Sequence, residues 1–74
     1  MGGKKSSITN VVREARKDAG LSQQDLGSAV GVTRQTVISI EAQRYAPSLE
    51  LAFRLSHVLE TPIEELFAFK PDWD

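Results

Sequence analysis

Between residues 23 and 41, QQDLGSAVGVTRQTVISIE, the apolar positions fall into two short runs at helical spacing. Leu26 and Val30 form an edge in the first run, and Val37 and Ile40 form one in the second, so both segments turn an apolar side toward a shared core. Gly31 breaks the first helix and Val32 fills the corner. Gly27 and Ala29 are small enough to let the two helices approach closely. Ser22 and Thr33 each stand where an N-cap is wanted. Leu21 with Leu26 and Val32 with Val37 flank these caps as hydrophobic staples. A repeated cap and staple about one glycine predicts two short helices held at a fixed angle.

The flanking segments continue the helical pattern. A first helix is expected over residues 8–19, capped by Ser7, with Val12, Ala15 and Ala19 inward and Gly20 ending it. A fourth runs from Ser48 to about Glu60. At roughly 100° per residue its inner stripe reads Leu49, Ala52, Leu55, Ser56 and Leu59, with Leu51 and Val58 on the far margin. A fifth follows with Thr61 as cap, Pro62 at N1 and Glu64 at N3, presenting Ile63, Leu66 and Phe67. The chain thus divides into an arm of residues 1–7, an all-α domain over residues 8–67, and a tail of residues 68–74 that adds Phe69 and Trp73. The arm carries Lys4 and Lys5 behind a Gly2-Gly3 pair, and is either solvated or placed near phosphates.

Composition narrows the function. At 74 residues and 41% hydrophobic content, one small domain is permitted, near the lower size limit for a single core. The absence of cysteine excludes disulfides and thiolate metal sites and is compatible with a reducing cytoplasm. No apolar run approaches the roughly 18 residues needed to span a bilayer, so a cytoplasmic protein is expected. The net charge of −1 hides an asymmetry: residues 1–49 sum to +3 and residues 50–74 to −4. Such a dipolar domain turns its positive half toward an acidic partner. Catalysis finds no support. His57, the single histidine, has no second metal-ligand residue at i+4, and no glycine-rich phosphate loop is present, so neither metal nor cofactor is expected.

Once its core edge is assigned, the second helix of the pair presents Arg34, Gln35, Ile38 and Ser39 outward, just past its Thr33 cap. Arginine can donate two bonds to guanine O6 and N7, glutamine can pair with adenine N6 and N7, and serine suits base edges or phosphates. That set fits a DNA major groove. Ile38 either meets a thymine methyl or packs against the protein itself.

The chain resembles the Cro and phage-repressor (XRE) class of helix-turn-helix regulators. The resemblance rests on Arg16, residues 20–23 (GLSQ), Leu26, residues 31–36 (GVTRQT), Ile40-Glu41, Arg44-Tyr45, residues 47–49 (PSL) and residues 63–67 (IEELF). It implies a compact five-helix, lambda-repressor-like DNA-binding domain acting as a transcriptional regulator, usually a repressor. It further implies an ion pair between Arg16 and Glu41 and a phosphate contact from Gln23. Arg44 is a second phosphate candidate, and Tyr45 either reaches the backbone or packs on Pro47. Many relatives carry Asn-Gly where this chain has Ala42-Gln43, which puts the geometry of that loop in question.

Proteins that read DNA with one small helix gain affinity by pairing on half-sites roughly 34 Å apart. The broad apolar surface of the C-terminal half is therefore assigned to a homodimer interface of Leu51, Leu55, Val58, Phe67, Phe69 and Trp73, unless the tail folds back to complete a monomer. The rival reading is a protein-interaction module of the same fold, such as an antitoxin or a bridging coactivator.

Overall fold

The computed structural model describes residues 7–71, so Trp73 and most of the N-terminal arm lie outside the described residues. Its elements, in chain order, are β1 (Ile8–Asn10), α1 (Val12–Asp18), α2 (Gln23–Val30), α3 (Arg34–Glu41), α4 (Leu49–Leu59), α5 (Ile63–Leu66) and β2 (Phe67–Phe69). Every helix sends at least one side chain into a single core. Val12 of α1, Leu26 and Val30 of α2, Val37 and Ile40 of α3, Leu55 of α4 and Leu66 of α5 are all at most 2% exposed.

All five expected helices are present with shifted bounds, and a two-stranded sheet is added that takes Phe67 from the fifth helix into β2. β1 pairs antiparallel with β2 in the register Ile8↔Phe69, Thr9↔Ala68 and Asn10↔Phe67. The expected first helix therefore begins four residues late. Ile8 and Thr9 are β-branched and suit a pleated strand. Val11 rather than Ser7 takes the cap position, without a side-chain cap bond, and the preceding Asn10 accepts from the Val12 amide through Oδ1 at 3.0 Å. The Val11 amide donates to the Leu66 carbonyl at 3.0 Å, locking this turn to the end of α5. At the other end Ala19 is exposed rather than inward, and Gly20 closes the helix at φ +75°.

The phase of α4 also differs from the wheel drawn on sequence alone. Leu51, Ala52, Leu55 and Leu59 are buried, whereas Leu49 is 72% exposed. Rows four residues apart lie along one helix face. The row 51, 55, 59 is the one that meets the core, leaving Leu49 and Phe53 on the outer side. Leu51 and Leu55, assigned above to a dimer interface, are thus committed to the core of the monomer.

The joint between α4 and α5 is tighter than a Thr61 cap would make it. Thr61 Oγ1 donates backward to the Leu59 carbonyl at 3.0 Å, Ser56 Oγ donates to the Thr61 carbonyl at 2.6 Å, and Pro62 itself takes the cap position. Ser48 caps α4 as its sequence predicts, with Oγ accepting from the Leu51 amide at 3.1 Å.

Candidate nucleic-acid interface

The site is built on the corner between α2 and α3. Ser22 and Asp25 form a reciprocal capping box: the Asp25 amide donates to Ser22 Oγ at 2.9 Å and the Ser22 amide donates to Asp25 Oδ2 at 3.1 Å. The Ser22 amide, and after it the Ser22 hydroxyl, hold the Asp25 carboxyl below its ordinary range. Gly31 then turns the chain at φ +83°, where a side chain is rarely tolerated. The amides of Gly31 and Val32 both donate to the Gly27 carbonyl at 2.9 Å. A Cβ on Gly27 would meet the Val32 carbonyl oxygen at 2.8 Å, so glycine is what allows the two helices their close crossing.

Thr33 opens α3 with its Oγ1 accepting from the Thr36 amide at 3.3 Å and hydrogen-bonded to the Thr36 hydroxyl at 3.2 Å. Val37 and Ile40 anchor the inner edge. Arg34 and Gln35 are therefore exposed in the first turn, and Ile38 and Ser39 are half-buried on the flanks. Two shallow depressions border this helix. One is lined by Gln35, Thr36, Ser39, Arg44 and Tyr45, joining the helix face to the following loop. The other brings Ile38 beside Gln23 and the α1 side chains Arg13, Arg16 and Lys17.

The sequence reading missed Arg13 and Lys17. Their signal was present as cations one helical turn apart, but the burial of Arg16 between them decides which way that face points. Thr36, quoted above only as part of a motif, also joins the outer face.

A buried ionic junction fixes α3 against α1. Arg16 Nε donates to Glu41 Oε2 at 2.6 Å and Nη2 donates to Oε1 at 3.2 Å, with the two side chains 9% and 5% exposed. Arg16 Nη1 donates to the Leu21 carbonyl at 2.9 Å, and Gln23 Nε2 donates to Glu41 Oε1 at 3.1 Å. The ion pair implied by the family resemblance is present. Gln23 is drawn into it, so its amide serves this junction. Burial pushes the Glu41 carboxyl up, but the hydrogen bonds from Arg16 and Gln23 and the Arg16 charge outweigh it and leave the group below its usual range. Arg16 is correspondingly raised, mainly by its bond to Glu41.

The loop after α3 keeps the turn that Asn-Gly would make. Gln43 adopts φ +63°, a left-handed conformation costly for a side-chain-bearing residue. Its carboxamide offsets that cost by pairing like a strand with Asn10: the Asn10 amide donates to Gln43 Oε1 at 3.1 Å and Gln43 Nε2 donates to the Asn10 carbonyl at 3.0 Å. Asn10 Nδ2 also donates to the Ile40 carbonyl at 3.0 Å, capping the end of α3. Arg44 is thereby held at the exposed edge of α3, its amide donating to the Ser39 carbonyl at 3.0 Å.

Of the residues expected at a dimer interface, Val58 and Phe67 are half-buried against the core and Phe69 is 56% exposed. The largest apolar exposures on α4 are instead Leu49 at 72% and Phe53 at 58%. His57 is exposed, and no cluster of metal-ligating side chains forms among the described residues.

Comparison with known proteins agrees with this construction. A family profile for helix-turn-helix domains matches residues 12–66. An uncharacterized HTH-type transcriptional regulator of Methanothermobacter thermautotrophicus is 48% identical over 66 residues, covering 88% of this chain and 96% of the relative. Another, YgzD of Bacillus subtilis, is 47% identical over 60 residues, covering 81% and 91%. The crystal structure of the restriction-modification controller protein C.AhdI from Aeromonas hydrophila superposes with a TM-score of 0.68 at 31% identity, covering 73% of this chain and 78% of that one. The matched residues contain the capped α2–α3 corner and the Arg16–Glu41 junction, and the chain belongs to the XRE-like helix-turn-helix family of non-enzymatic, DNA-binding transcriptional regulators.

Proposed function

We propose that the protein is a sequence-specific repressor that reads the major groove of double-stranded DNA with α3. The observation that carries this reading is the exposure of Arg34 and Gln35 in the first turn of α3, where neither side chain is engaged by another among the described residues. Arginine offers two donors and glutamine one donor with one acceptor, both suited to base edges. Ser39 and Ile38 extend the reading surface, with Ile38 placed for a thymine methyl. Thr33 at the helix start, the Gln23 end of α2, and Arg44 grip the phosphates that set the register. Arg13 and Lys17 on α1 add to that grip.

Two copies engage one operator, because a single short helix contacts too few base pairs for tight binding. The exposed Leu49 and Phe53, one turn apart on α4, supply the apolar contact between copies together with Phe69 of β2. Symmetric half-sites roughly 34 Å apart follow from such a dimer. The expected location is the cytoplasm, where the operator is.

Selection of bound fragments from random DNA, followed by gel shifts with single variants, tests this reading. Arg34→Ala and Gln35→Ala should each weaken the selected site by about 1 to 3 kcal/mol and relax preference at particular base pairs. Arg44→Ala should weaken all sequences alike and reduce the salt slope by about one unit. Uniform loss on every sequence for all three variants would reduce α3 to a backbone binder. A selected site without two-fold symmetry, with only an 8.2 kDa species in sedimentation at micromolar concentration, would remove the dimer.

A further inference from the structure

The far side of α1 carries a surface that DNA recognition does not use. Arg13, Arg16 and Lys17 border α3, whereas Glu14, Ala15 and Asp18 line a groove between α1, the end of α4 and α5. The groove has a volume of about 790 Å³ and shares no lining residue with either depression beside α3. Its apolar lining includes the half-buried Ala15, Leu21 and Val58 and the exposed Ala19 and Ala29. Its rim carries Glu14, Asp18, Glu60 and Glu65, and no cation lines it. None of these carboxylates is held in an ion pair among the described residues.

We propose that this groove docks a basic amphipathic helix of a partner protein, independently of the DNA reading. An apolar trough of this kind accepts the i, i+3, i+4, i+7 stripe of a helix. Carboxylates along the rim select lysines and arginines flanking that stripe and repel an acidic segment. A polyanion such as DNA is excluded by the same charges. The two faces of α1 then act at once, with nucleic acid on one side and a cationic protein helix on the other.

The probe is a synthetic helical peptide with a leucine stripe flanked by lysines, compared with a twin in which glutamates replace the lysines. Each is titrated into the full chain while backbone amide resonances are followed. The lysine peptide should shift Ala15, Ala29 and Val58, bind more weakly as salt rises, and lose about tenfold in affinity to the double variant Glu14→Lys/Glu65→Lys. A second pair, Asp18→Lys/Glu60→Lys, repeats the measurement, with circular dichroism checking that each variant is folded. Equal binding of both peptides, groove resonances that do not move, or charge-reversed folded variants that bind unchanged would overturn the proposal. So would the same shifts appearing on raising the protein concentration without peptide, since a second copy would then be the occupant.

Discussion

Two arginine–carboxylate contacts in this molecule share a distance and little else. Arg16–Glu41 and Arg54–Glu50 both close to 2.6 Å. The first joins α1 to the end of α3 with side chains 9% and 5% exposed, while the second spans one turn of α4 with side chains 53% and 75% exposed. Around the first pair a carbonyl and a glutamine amide complete the bonding, so both charges are satisfied without water. Arg54 also reaches the Val30 carbonyl at 3.1 Å, but water competes for its partner carboxylate. Distance alone therefore says nothing about what an ion pair contributes; burial and the remaining bonds decide it.

The contrast can be broken most strongly at Glu41. Glu41→Ala leaves the Arg16 guanidinium buried with only the Leu21 carbonyl, and should cost about 3 to 5 kcal/mol in urea denaturation. Undiminished stability would show that the junction contributes nothing to holding α3. A steric control comes next in size. Gly27→Ala drives a methyl into the Val32 carbonyl, and should cost about 1 to 3 kcal/mol, since the contact is with backbone that cannot swing aside.

A smaller effect follows from the ionisation of Glu41. Its folded-state pKa lies below the ordinary carboxylate value of about 4.3, so its contribution is fully present above that pH and is lost as pH falls through the lower folded value. Stability measured down an acid titration should decline in this window, and Glu41→Gln should flatten the decline. An equal slope in both proteins would assign the acid limb to other groups. The smallest change is expected at the other pair, where Glu50→Ala should alter stability by no more than about 0.5 kcal/mol. A loss comparable to that of Glu41→Ala would erase the distinction.

What could be read from the sequence follows the range of the interactions involved. The α2–α3 corner is written in local chemistry, with Ser22 and Thr33 capping, Gly31 turning and Val32 stapling within a few residues of one another. The two caps and the glycine turn stand as the spacing predicts, and Val32 packs against the core. The exposure of Arg34 and Gln35 follows once Val37 and Ile40 are assigned inward.

Long-range pairing was less legible. Ile8 and Thr9 read as a helix start until β2, some sixty residues away, supplies strand partners. Leu49 and Leu51 are equally apolar, and only the packing of Leu55 and Leu59 selects the phase that buries one and exposes the other. Gln43 looked like a loss of the Asn-Gly turn because its compensation, the carboxamide clasp on Asn10, joins residues 33 positions apart. The Arg16–Glu41 pair, 25 positions apart, came from family resemblance and not from spacing.

The β1–β2 ladder sets the two ends of the described chain side by side, with the Lys70 amide donating to the Ser7 carbonyl at 2.9 Å. A short glycine-serine bridge from residue 71 back to residue 7 should accordingly be tolerated, with a new opening cut in the exposed loop after Arg44. Such a circular permutant would keep both faces of α1 intact while placing a new terminus just after α3, where a reporter dye could be attached.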